Sequence, residues 1–554
     1  MREICKEYKK NIKYFLNNKK YITAIIIVTI LSYGFIFTHF TVGIDDLCFD
    51  RYLNKGYWFA ANRWGAVVTY KLLGITKFTP IWLESIVIIL TICMAIVLCS
   101  FIRKNLKIKI KDYELILFAG ILISTPMLYI QMMYQTSSLT NILSNFALII
   151  IAMLFYENFY KYKDKKIYWT STLIMPLFIS MYESCCQTYV VFVLIISFIS
   201  LINGESAKEI LKWIITAFGL LFLGIIFNLL ISESIQFFKK DILPENFAYK
   251  GIKWTKETFN QSIELLCYVL SCMARYIKGY IYLIFLGLCV SAVIAVKKNK
   301  LLYLFIYIGI IIANILINIL QLKFLLRINT SWSVTIAFII LYLLVIARKN
   351  RYIYYFMIGL SLIILMYQTQ KINNNFYKEY VEYEKEKSIA FDIAKKINEN
   401  VKDKTKPIFY LYEDYIKNYN FKTIDNKIFC LNDFDFISKY IDKYPNKNRV
   451  SDKVAMFYTM RDINALRRSK TFIKKDCANA VYVPKSKYSL YCYVDVFKQN
   501  IKTVPYYFGN CDIMIDYNKF KILEKDFIKA SKSKILNSKI LDYFENLLGE
   551  HYAN

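Results

Sequence analysis

The sequence predicts a polytopic α-helical membrane protein that ends in an extracytoplasmic α/β domain. Three observations carry this reading. Of 554 residues, 56% are hydrophobic, more than a chain folding in water alone normally carries. The apolar residues gather in runs long enough to cross a hydrocarbon core about 30 Å thick. The formal charge of +30 lies mainly between those runs, where loop cations set membrane orientation.

Taken in order, residues 1–20 form a basic leader with Arg2, Lys6, Lys9, Lys10, Lys13, Lys19 and Lys20, expected in the cytoplasm. Residues 21–40 contain no Asp, Glu, Lys or Arg and form the first span. The run is too long for a removable signal peptide and lacks a small-residue cleavage site, so it is expected to stay as an anchor. Further spans are expected at 81–102, 113–130, 139–156, 168–182, 188–202, 213–231, 280–296, 301–320, 331–347 and 352–369, about 11 in all. The connections support this order. Arg103, Lys104, Lys107, Lys109 and Lys111 fill one, and Lys161, Lys163, Lys165 and Lys166 another. Lys297, Lys298 and Lys300 fill a third, and Arg348, Lys349 and Arg351 a fourth. All four fall on the side of the amino terminus, and an odd span count places the carboxyl terminus outside. Residues 21–370 then make a membrane-embedded domain whose outer connections are 41–80, the turn near Glu183, 232–279 and 321–330.

Residues 371–554 follow as an extracytoplasmic α/β domain. A charged helical stretch at 378–387 continues to about Asn400. Strand-like runs lie at 407–412, 427–431, 454–458 and 480–484, and a Lys-rich amphipathic helix at about 519–548. Net positive charge does not oppose an outer position, since long domains translocate largely regardless of charge. Cysteine usage adds little. There are 13 cysteines, without a CxxC pair or a zinc-type spacing. Cys93, Cys99 and Cys289 read as small packing residues within spans. Cys430, Cys477, Cys492 and Cys511 lie in the outer part, where one or two disulfides and free thiols are both open.

Several function classes fall away. The only histidines are His39 and His551, so a histidine triad or a His-rich metal centre has no material. No GxxxxGK[ST] loop and no GxGxxG after a strand is present. The cations sit between spans, which argues against nucleic acid and for membrane lipid as their partner. Carboxylates and cations on the outer side remain.

Ile44-Asp45-Asp46-Leu47 emerges just past the outer end of the first span, and Asp50 follows. On a helix Asp46 and Asp50 share one face, so repulsion would raise one pKa or recruit a cation. Tyr52, Lys55, Tyr57, Trp58, Arg63, Trp64 and Lys71 continue the loop, aromatics and cations interleaved as in a helix lying in the headgroup layer. The plain alternative is that the acids cap a helix and pair with Arg51 or Arg63. Arg327 lies between two apolar runs, where an arginine either meets an anionic partner or snorkels to water. Glu183 interrupts two apolar runs, as a cavity-lining residue would. Gln131, Gln135 and Asn141 cluster at one outer turn, which a surface turn also explains.

The order of these pieces resembles the GT-C class of polytopic glycosyltransferases, specifically the bacterial O-antigen glucosyltransferases of Gtr type II. The carrying residues are Asp45-Asp46, Tyr57-Trp58 and Asn62-Arg63-Trp64-Gly65, with Asn62 where the pattern calls for Gly, and the turn Met181-Tyr182-Glu183-Ser184-Cys185-Cys186-Gln187. Arg327 after a span and the charged helix after the last span match as well, so the resemblance covers about 40–400. It implies a GT-C-like membrane domain that moves a sugar from a polyprenyl-phosphate donor to a cell-surface glycan. In that reading Asp45 or Asp46 acts as base, Arg63 and Arg327 hold the phosphate, and Asp50 and Glu183 contact substrate. A carboxylate that takes the proton of a sugar hydroxyl contributes about 10²–10⁴-fold, and a fixed guanidinium stabilises the departing phosphate. Hard oxygen ligands at Asp45 and Asp46 also suit Mg²⁺ or Mn²⁺, though nothing in the spacing requires a metal.

Two rival classes make different demands. A flippase or polysaccharide exporter for lipid-linked sugars calls for repeated halves and Gly/Pro-broken helices. Only 16 Gly and 8 Pro are present, and no repeat is visible. A glycan-binding receptor merely anchored in the bilayer has no use for so many spans.

Overall fold

The computed structural model describes residues 2–39, 49–54, 56–76, 79–132, 134–238, 259–298, 300–322, 328–400, 408–412, 479–483 and 513–514. They divide into two units, one ending at Glu379 and the other beginning at Tyr380.

The first unit is helical. Helix α1 (Arg2–Asn17) stops at Asn18, whose side chain accepts from the Tyr21 amide and so caps α2 (Lys19–Tyr33). Three short helices follow: α3 (Phe49–Asn54), α4 (Tyr57–Ala60) and α5 (Trp64–Leu72). Pro80 opens α6 (Pro80–Asn105), the position where a missing amide hydrogen costs nothing. Helices α7 (Asp112–Ile123) and α8 (Pro126–Met132) are one apolar run bent by 40°, because Pro126 cannot donate within the ladder. Then come α9 (Gln135–Glu157), one π-helical turn (Asn158–Tyr162), α10 (Lys165–Ile179), α11 (Ser184–Ile202) and α12 (Ala207–Phe238). The unit closes with α13 (Phe259–Tyr276), α14 (Ile281–Lys297), α15 (Leu302–Ala313), α16 (Leu316–Gln321), α17 (Ser331–Ala347) and the start of α18 (Arg351–Asn400).

Among the described residues seven helices are long and apolar enough to cross a membrane, or eight if the bent pair counts as one. The chain is a multi-pass membrane protein; the sequence pattern predicts about eleven spans. The differences fall at 168–182, 301–320 and 331–347, which form the 15-residue α10, the broken pair α15 and α16, and the 17-residue α17. Counting apolar residues misses such breaks, and 17 residues of helix reach only about 25 Å. A short helix is tolerated where protein shields it. Nearly all of α17 is buried, and the apolar window of α11 is 83% buried. These two make the centre, whereas α12, α14 and α18 expose Ile, Leu and Phe along their length.

The second unit contains three described strands, β1 (Ile408–Tyr412), β2 (Asn479–Val483) and β3 (Ile513–Met514), paired in parallel in the order β1-β2-β3. The expected strands at 427–431 and 454–458, the helix at 519–548 and Cys430, Cys477, Cys492 and Cys511 lie outside the described residues.

The two ends of the helical unit differ in chemistry. At one, the loop cations are tied down. Glu157, fully buried, meets Lys104 at 2.8 Å and Lys161 at 3.2 Å and accepts from Tyr8 Oη. Glu114, also buried, pairs with Arg348 and accepts from Tyr354 Oη at 2.6 Å. Helix α1 lies across this end, tied by Glu7 to Lys104 (2.6 Å) and by Tyr14 to Asp112 (2.7 Å). The opposite end holds buried amides and hydroxyls. Gln187 donates to the Asn314 carbonyl and to Ser331 Oγ, and Asn145 donates to Thr330 Oγ1.

Candidate functional site

Helices α3 to α5 close the amide-rich end. Their aromatic residues hold them together: Trp58 stacks on Tyr70 at 5.3 Å between centroids, and Phe49 meets both edge-on. Polar contacts fasten them to three bundle helices. Tyr70 Oη donates to the Thr136 carbonyl of α9, and the Gly65 amide donates to Ser180 Oγ at the end of α10. Trp64 Nε1 donates to Asn228 Oδ1 of α12, and Gln236 Nε2 donates to Asn62 Oδ1.

Two residues of the Asn62-Arg63-Trp64-Gly65 motif have backbone reasons for their identity. Asn62 has φ 59°, in the left-handed region that asparagine enters more readily than most side chains. That accounts for Asn where the pattern calls for Gly. Gly65 allows a close approach, since a Cβ there would overlap Ser180 Oγ and the Leu177 carbonyl. Together they aim the intervening Arg63.

Arg63 Nη2 reaches both oxygens of Glu183 at 2.8 Å, and Nε reaches Oε2 at 3.2 Å. The guanidinium also lies 4.4 Å over the Tyr182 ring, a cation–π contact. Glu183 precedes α11 and turns its carboxylate to Arg63 instead of capping the helix amides. The pair is partly open, with side-chain exposures of 16% and 26%. A two-point grip of this kind fixes the plane of the guanidinium, so Arg63 faces the rim in one orientation.

The sequence-predicted residues fare unequally. Arg63 and Glu183 come together across 120 positions. Asp50 lies on α3 beside the buried Phe49, though its side chain is outside the described residues. Asp45, Asp46 and Arg327 are outside them too. Gln131 and Asn141 form a buried network instead of a surface turn: Asn141 donates to Gln131 Oε1, and Gln131 donates to Ser137 Oγ. The side chain of Gln135 lies outside the description. Tyr182, Ser180, Asn228 and Gln187 are partners the residue-by-residue reading did not single out. Tyr182 and Gln187 stand in the turn that carries the resemblance, whereas nothing in sequence marks Ser180 or Asn228.

Among the described residues no group of three or more His, Cys, Asp or Glu could hold a metal ion, and the Glu183 carboxylate is engaged by Arg63. These residues do not make a fit for Mg²⁺ or Mn²⁺.

No curated protein and no solved structure matches the chain. The family model of glucosyl transferase GtrII matches residues 34–365, more than half of the 554. The match takes in the acid pair, helices α3 to α5, the Glu183 turn and the buried amides. The chain therefore belongs to the GtrII glucosyl transferase family of membrane glycosyltransferases.

Proposed function

We propose that the protein takes a sugar, a glucosyl group, from a polyprenyl-phosphate donor and joins it to a cell-surface glycan on the outer face of the membrane. The oriented Arg63–Glu183 pair, at the end opposite the basic connections, carries this reading. Cytoplasmic retention of those connections would put Arg63 outside. The amino terminus is then cytoplasmic, and residues 371–554 form an extracytoplasmic α/β domain; the three short parallel strands described there are consistent with this reading.

In the reaction, Asp45 or Asp46 takes the proton of the acceptor hydroxyl as that oxygen bonds to the anomeric carbon. The bond from that carbon to the phosphate oxygen breaks, and polyprenyl phosphate leaves with the electron pair. Arg63 and Arg327 offset the charge on the departing phosphate. Glu183 holds Arg63 in place, and Asp50 contacts the sugar. Interrupted helices such as α7–α8 and α15–α16 also occur in transporters, but the family match favours transfer.

Deleting the gene tests this. Lipid-linked sugar should accumulate and one glucosyl group should vanish from the surface glycan, both restored by the intact gene. An unchanged glycan, or loss of the whole polymer from the surface, would argue for another role.

A further inference from the structure

Helix α13 (Phe259–Tyr276) is not among the seven helices fit to span a membrane. Its position follows from its neighbours. Lys107 binds Glu205, just before α12, at the basic end, so α12 finishes at the opposite end. Helix α14 finishes at Lys297, next to the basic connection, so it starts at the opposite end. Helix α13 lies between the finish of one and the start of the other. Tyr280, just beyond it, accepts from Gln368 Nε2, which places it on the helical unit at the level of Ser124.

Three strips run along α13 at helical spacing. Ser262, Val269 and Met273 are buried and face the bundle, where the helix rests on α16. Phe259, Ile263, Leu266 and Leu270, at intervals of four, three and four, form an apolar strip, with Phe259 75% and Ile263 and Leu270 each 42% exposed. Glu264, Tyr268, Ser271 and Arg275 repeat the same spacing on another side, all exposed. A helix in water has no reason to present such a strip. A helix lying in the plane of a membrane interface needs this division, with one side toward acyl chains and one toward water. Arg275 and Lys278 close its carboxyl end, with Tyr276, Tyr280 and Tyr282 beside them, the residue types that settle at headgroup level. The apolar strip continues into the exposed Ile281, Tyr282 and Phe285 of α14, a helix apolar enough to span.

We infer that α13 is an interfacial helix whose Phe259–Ile263–Leu266–Leu270 strip inserts among the acyl chains of the leaflet at the Arg63–Glu183 end. The partner is the lipid bilayer itself, and the inference goes beyond the transfer reaction, standing whether or not the proposed donor is correct. It places a lipid-immersed helix at that end of the bundle, resting on α16.

The test uses the full chain in phosphatidylethanolamine–phosphatidylglycerol vesicles. A photoreactive phenylalanine analogue is placed singly at Ile263, Leu270, Ser271 or Arg275, with Leu266 as a further strip position. After illumination, lipid adducts are read from intact mass. At least a several-fold excess of lipid adducts at 263, 266 and 270 over 271 and 275 is expected. Equal labelling of both strips, or protein–protein crosslinks in place of lipid at the apolar positions, overturns the inference. Sugar transfer measured on the same samples separates the two claims, because the labelling pattern does not depend on catalysis.

Discussion

At the basic end, Glu157 and Glu114 are wholly buried, and each is held by cations and a tyrosine hydroxyl. At the opposite end the buried polar groups include the neutral bracket of Gln187, Asn314 and Ser331, together with the buried carboxylate of Glu84 near the start of α6. The Arg63–Glu183 pair there sits at the rim, partly open. The difference is instructive. A buried carboxylate surrounded by its partners has no spare valence for a ligand, and removing a partner strands it. The rim pair, in contrast, keeps side-chain exposures of 16% and 26%. Charge is sealed inside the protein at one end, and in the proposed reaction it takes part in chemistry at the other.

Substitutions should split along that line. Asp45→Asn or Asp46→Asn, whichever removes the base, should lower sugar transfer by about 10²–10⁴-fold with the protein still monodisperse, as radiolabelled transfer and gel filtration would show. Arg348→Ala should do the reverse. It strands Glu114 and should cost about 3–5 kcal/mol of stability, seen as a lower unfolding midpoint, while transfer per folded molecule is unchanged. Loss of transfer without loss of stability in Arg348→Ala would erase the contrast between the ends. Arg63→Ala should reduce transfer by about 10²-fold, with Arg63→Lys recovering only part, because an ammonium cannot make the two-point contact with Glu183.

The ends should also differ with pH. The hydrogen bond from Lys104 holds the Glu7 carboxyl below its ordinary 4.5, outweighing the opposing effect of burial. A lowered folded-state pKa stabilises the docked α1 above the unfolded value, and that contribution disappears as pH falls through the folded value. Amide exchange in α1 should therefore rise, beyond the intrinsic trend, as pH falls below the ordinary value of 4.5, and Glu7→Gln should remove most of this dependence. The smallest effect belongs to Asn62→Gly. Glycine accepts the left-handed conformation, so stability should change by only about 0.5 kcal/mol despite the lost contact with Gln236, whereas Asn62→Val should be clearly worse by thermal unfolding.

Much of the first unit was legible in the sequence because membrane helices announce themselves by uninterrupted apolar length. Where length and continuity part company, the sequence pattern and the helices differ. Pro126 bends what looked like one span, and a break at Asn314 divides another. The strips of α13 sit inside a stretch that reads as one long connection, since their meaning depends on a neighbouring bilayer. The Arg63–Glu183 contact joins two of the expected site residues, but nothing local predicts it. Their 120-residue separation is bridged by α5 and α10 meeting at Gly65 and Ser180, and a close backbone approach leaves only a glycine as its trace. Ser180 and Asn228 left no trace, because a serine or asparagine within an apolar run looks the same whether it packs or positions.

The proposed reaction requires Asp45 or Asp46 to take a proton while the sugar leaves its phosphate. It is tested most directly by purified enzyme in vesicles, given radiolabelled polyprenyl-phosphate glucose and surface glycan. Wild type should move label to glycan, and at least one of Asp45→Asn and Asp46→Asn should abolish that transfer while still binding the donor. Full transfer by both variants would show that neither Asp45 nor Asp46 is the base.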